Sequence, residues 1–103
     1  MVGKQELNEK VLISKINKIG IVHLHGAEKY LEKHKPKMCF LISLSQPHEN
    51  VLKYAEDIKG LQIVVSSNFE DEKKKIEQDY KDTEIVMIDS YQLAGRDGML
   101  DGA

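Results

Sequence analysis

The sequence predicts a small single α/β domain: a three-layer fold, Rossmann-like or flavodoxin-like, around a mainly parallel sheet of about four strands. Three observations carry that expectation. Short, nearly unbroken apolar runs rich in β-branched residues recur at 38–42, 61–65 and 84–88, the pattern required of strands buried on both faces. The stretches between them show helical spacing. The length, 103 residues, suits one core and leaves no room for two.

Taken in order, Leu7, Val11, Leu12, Ile16 and Ile19 share one helical stripe that ends at Gly20, which predicts an N-terminal helix over 5–19. Alternatively, 11–16 pairs with 21–25 as a hairpin. Residues 21–25 form a shorter, half-polar run, which predicts an edge strand or one with a face near a site. Ala27, Tyr30, Leu31 and His34 then recur at i, i+3, i+4 and i+7 before Pro36, a helix with a stop signal. After the strand at 38–42, Val51, Leu52, Ala55 and Ile58 mark a second helical stripe closed by Gly60. After the strand at 61–65, Phe69, Ile76 and Tyr80 mark a sparser third. Strands alternating with helices imply right-handed βαβ crossovers; the strand order stays open. The domain is expected over 1–92. Residues 93–103 contain three glycines and no clear period, and read as a C-terminal tail or docked arm.

Composition narrows the function classes. Fifteen basic residues oppose seventeen acidic ones for a net charge of -2, so no general field attracts a polyanion. Arg96 is the one arginine, and arginine is the side chain best shaped for phosphate or guanine forks. General nucleic-acid binding is not expected. No apolar run approaches the roughly 20 residues of a membrane helix, and the polar start of the chain has no signal-peptide pattern. The one cysteine, Cys39, has no partner within the chain. A soluble, cytoplasmic protein without membrane contact is the expectation.

Parallel α/β sheets bind ligands outside the carboxyl ends of their strands. With strands placed as above, the candidate ligand-binding residues are His25 and Gly26 after the first strand, Ser45 and His48 after the second, Ser67 and Asn68 after the third, and Asp89 and Ser90 after the fourth. Such polar strand ends suit a small anionic or nucleotide-like ligand, since helix N-termini there offer free N–H groups. Capping competes for the same residues. Ser67-Asn68-Phe69-Glu70 matches the S-x-x-E capping box, and Pro47 suits the first turn of a helix. The chain has neither G-x-G-x-x-G nor G-x-x-x-x-G-K-[ST], so no dinucleotide fingerprint or Walker loop names a cofactor.

His23 and His25 lie two residues apart, and on a strand they share a face. Val22-His23-Leu24-His25-Gly26-Ala27 resembles the His-x-His motif at the first strand of amidohydrolase and deaminase barrels. The resemblance covers six residues, and such a barrel takes about 250. It implies metal-dependent hydrolysis, but this chain cannot supply the barrel; a smaller metal site of His23, His25 and either His48 or Asp89 is the alternative the residues themselves offer, with zinc the metal that suits imidazole and carboxylate ligands. Asp89, at the end of a buried strand, also resembles the phospho-acceptor of receiver-like domains, but His25-Gly26-Ala27 stands where that family has acids. Cys39, inside an apolar strand, is expected to be an inert buried thiol.

Three functions compete. A small non-enzymatic binding or regulatory domain holding an anionic ligand is favoured. A protein-interaction or oligomerisation domain, docking through Leu93, Met99 and Leu100, is the first alternative; unpaired sheet edges give it a physical motive. The metal-dependent hydrolase is the second.

Overall fold

The computed structural model describes residues 10–93. The order of elements is β1 (Lys10–Ile16), α1 (Ile21–His34), β2 (Met38–Ser43), α2 (Glu49–Glu56), β3 (Leu61–Val65), α3 (Phe69–Asp79), β4 (Glu84–Met87) and a short α4 (Ser90–Leu93). The strands form one four-stranded sheet in the order β3-β2-β1-β4, and each neighbouring pair is parallel. The predicted α/β class and parallel four-stranded sheet are those of the protein.

Three elements differ from expectation: two lie at the start, and the third is α4, a short helix after β4 where no element is expected. Residues 10–16 are not the body of an N-terminal helix but β1, an inner strand paired with β2 on one side and β4 on the other. Val11 and Ile13 point to one face and Leu12 and Ile16 to the other, and all four are buried. A strand covered on both faces is apolar throughout, so its residues satisfy a helical stripe as readily as a strand pattern. The first part of the expected helix, 5–9, lies outside the described residues. The hairpin alternative also fails, because both partners of β1 run parallel to it.

Residues 21–25 are not an edge strand; they open α1. Gly20 is its extended N-cap, at φ -122° and ψ 175°. Ile21, Leu24, Ala27 and Leu31 continue the helical stripe backwards and pack into one core cluster. The helix ends before Pro36, which cannot continue it, with Lys35 as a left-handed cap at φ 47° whose N–H donates to the Leu31 carbonyl. Gly60, at φ 82°, supplies the left-handed turn between α2 and β3.

The topology explains which face each helix covers. The steps β1 to β2 and β2 to β3 move one way along the sheet, and β3 to β4 moves back past β1. Right-handed crossovers in opposite directions fall on opposite faces. Accordingly, Leu24 and Ala27 of α1 and Val51 and Ala55 of α2 pack with Leu12, Cys39 and Leu41. Phe69 and Ile76 of α3 pack on the other face with Val11, Ile13, Phe40 and Ile42. The short α4 returns to the α1 face, where its Leu93 is fully buried. Tail residues 94–103, including Met99 and Leu100, lie outside the described residues.

Candidate functional site at the carboxyl edge of the sheet

The parallel sheet brings four loops to one edge: 17–20 after β1, 44–48 after β2, 66–68 after β3, and 88–89 after β4. The centre of that edge is the β1–α1 loop, and it is pinned from several sides. Ser43, fully buried at the end of β2, accepts from the Ile19 N–H at 3.2 Å and donates to the Ser45 carbonyl at 2.6 Å. Ser45 donates twice to the Asn17 carbonyl, from its N–H at 3.0 Å and its hydroxyl at 2.7 Å. Ile19 is buried beneath the loop as an apolar anchor. A buried serine on an apolar strand needs partners to offset its lost hydration, and here the partners are the loop itself.

His23 completes the turn. It is the third residue of α1, and its Nδ1 accepts from the Gly20 N–H at 2.9 Å, the reach-back half of a capping box made by an imidazole. Burial holds its pKa below the usual 6.5, which favours the neutral ring this bond requires. In the first turn of α1 the His23 and Leu24 N–H groups donate to the Gly20 carbonyl, which leaves those of Ile21 and Val22 without an acceptor within the helix, and exposed Lys18 lies in the same loop. Across from it, Ile88 is tied to β1 by its N–H to the Ile13 carbonyl at 2.9 Å and by its carbonyl, which accepts from the Ser14 hydroxyl at 2.8 Å. Asp89 and Ser90 follow as an exposed and a half-buried residue.

The eight candidates therefore fall into separate places. Asp89 and Ser90 flank the β1–α1 loop across the β1/β4 pair, and Ser45 braces that loop. His48 lies at the same edge beyond β2 and caps α2, its Nδ1 accepting from the Asn50 N–H at 3.4 Å. Ser67 is not the helix cap. Asn68 is, accepting from the Asp71 N–H at 3.1 Å and donating to the Asp71 carboxylate at 3.1 Å. Ser66 holds the Asn68 N–H at 3.1 Å, and Ser67 is exposed between them.

His25 and Gly26 are not at a strand end. His25 faces away in the second turn of α1, its ring 5.5 Å from that of Tyr54. It lines an open groove of about 740 Å³ between α1 and α2, with Glu28, Asp57 and Lys59. The Tyr54 hydroxyl donates to the Glu28 carboxylate there at 3.2 Å. Gly26 is buried against α4. On a helix, residues two apart point about 200° away from each other, so His23 and His25 do not share a face and the proposed imidazole pair is split. Among the described residues no three His, Cys, Asp or Glu side chains are grouped to hold a metal ion.

The sequence pattern does not single out Asn17, Lys18, Gly20 and His23 as parts of the edge, because the strand that delivers them also fits a helical stripe. Polar residues and a glycine directly after the apolar run 11–13 were the signal available. No helix among the described residues is long and apolar enough to cross a membrane. Compared with known proteins, the chain matches no family model, no curated protein and no solved structure.

Proposed function

We propose that the domain is a small binding or regulatory module that seats an anionic ligand between the β1–α1 and β4–α4 loops. The observation that carries this is the reversal of strand order beside β1: chain direction along the sheet changes between β1 and β4, and in open parallel sheets ligands collect outside the carboxyl ends at such a point. The pinned loop supports it, since a preformed seat saves the ordering cost of binding. Lys18 and the first turn of α1 provide the positive side; Ser90 provides a hydroxyl, and Asp89 suits a ligand hydroxyl more than a phosphate. A nucleotide-like ligand has both kinds of group. The free, buried Cys39 supports a reducing, cytoplasmic setting.

The test is an amide chemical-shift titration with inorganic phosphate, then AMP and ATP, with zinc as a separate arm. Shifts at 17–23 and 88–91, weakened about tenfold in Lys18→Glu on the scale of one charge-assisted bond, are expected. Shifts confined to the α1–α2 groove, or none, would sink the proposal. A second reading, self-association, is favoured by β4, the last strand of the sheet, whose Met87 is 46% exposed; an edge with no neighbouring strand among the described residues invites pairing. Lines that are broad and sharpen on dilution, with no phosphate shifts, would favour it.

A further inference from the structure

The sheet ends in β4 on one side and in β3 on the other, so self-association has two edges to use. We infer that a second copy of this chain pairs antiparallel with β3, Ile63 opposite Ile63 of that copy, and that the two four-stranded sheets become one. This rests on the self-association reading above and moves its interface from β4 to β3.

The first observation is which backbone groups face outward. The Cys39 N–H donates to the Gly60 carbonyl and the Ser66 N–H to the Ser43 carbonyl, so the even-numbered residues of β3 turn their backbone polar groups toward β2. Those groups alternate along a strand. The N–H and carbonyl groups of Leu61, Ile63 and Val65 therefore point away from β2, and no strand lies on that side among the described residues.

The second is symmetry. Antiparallel pairing about Ile63 sets Leu61 opposite Val65 of the second copy, and opposed residues whose groups face each other exchange both of their bonds. All three outward positions are met by a single two-fold axis, the geometry of a closed dimer. The side chains agree. Leu61 and Ile63 pack on the core beneath α1 and α2; Val65, on the same face by alternation, is 43% exposed, and Leu61 of the second copy covers it.

The third is charge. Residues 60–69 carry none, in a chain that is 31% charged. A lysine or another charge on the edge is the usual guard against such pairing, and β3 lacks it. The first charges to either side are Lys59 and Glu70, both exposed and opposite in sign, and antiparallel pairing brings the Lys59 end of one copy to the Glu70 end of the other. The β4 edge differs. Its outward residues are Ile85 and Met87, since the Ile88 N–H is spent on β1. Pairing those two in the same way sets exposed Asp82 and Glu84 beside exposed Asp89 of the second copy, and like charges in that position oppose contact. The assembly thus closes at two chains instead of growing through β4.

The test is sedimentation of the full chain, with amide exchange measured on the same samples, from about 10 μM to about 1 mM, where a small interface assembles. A two-chain species that grows with concentration is expected. As it fills, exchange at Leu61, Ile63 and Val65 should slow by about tenfold or more, with Ile85 and Met87 unchanged. Val65→Lys, which places a charge on an exposed position of the edge, should weaken the dimer about tenfold or more, and Met87→Lys should leave it as it is. The exchange pattern of the unaltered chain decides the matter even where a variant fails to fold. A monomer at every concentration overturns the inference together with the self-association reading. A dimer that slows Ile85 and Met87 instead, or that Met87→Lys weakens and Val65→Lys does not, overturns the β3 interface and leaves self-association standing.

Discussion

His23 shows how one side chain ties the site to pH. Its Nδ1 must keep a lone pair to accept from Gly20, and burial lowers its pKa in the folded state. In the unfolded chain it titrates near 6.5. Between the lowered folded value and 6.5, the unfolded state binds more protons, so stability rises with pH. The contribution is complete above about pH 6.5 and is lost as pH falls through the folded pKa. The urea midpoint should thus fall between pH 7.5 and pH 5, and part of that fall should vanish in His23→Asn, whose amide oxygen can accept from Gly20 without titrating. An identical pH dependence in both proteins would show that the Gly20 bond does not report on His23. The sequence exposed His23 as chemically suggestive but assigned its partner wrongly, since a residue two positions away is a neighbour on a strand and a stranger on a helix.

At the scale of elements, legibility followed how many structures a pattern allows. The runs at 38–42, 61–65 and 84–88 are bounded by turn signals and too short for helices, so their assignment had one solution. Helix α2 was equally plain, with Val51 and Ala55 buried on one stripe. The run that became β1 allowed two solutions, because Leu7 and Ile19 extended its apolar spacing beyond the strand. A helical stripe over β1 leaves residues 21–25, the start of α1, as the next segment short enough for a strand. The error at α3 is smaller and instructive: a serine followed three residues later by glutamate satisfies the capping-box spacing, but Asn68 followed by Asp71 satisfies it one residue later. The side-chain bonds belong to the second pair. Asn68→Ala should therefore cost about 1 kcal/mol, the usual value of an N-cap, while Ser67→Ala should stay within about 0.5 kcal/mol, as for an exposed position without a cap. Urea unfolding of the two variants decides between the registers; a larger loss for Ser67→Ala would restore the first.

At the scale of the whole molecule, three layers close over β2, which has β1 on one side and β3 on the other. Cys39 is on that strand, fully buried among Leu24, Ala27, Leu41, Val51 and Ala55, and burial pushes its thiol pKa up to about 12. A thiol reagent needs both access and a thiolate, and neither exists while α1 and α2 cover the sheet. Reaction then requires global opening. For a domain of ordinary stability, about 5–10 kcal/mol, labelling should be suppressed by roughly four to seven orders of magnitude relative to the unfolded chain. It should accelerate with urea along the slope of global unfolding. Fast labelling at zero urea, with secondary structure intact, would mean that the α1–α2 layer opens separately from the sheet.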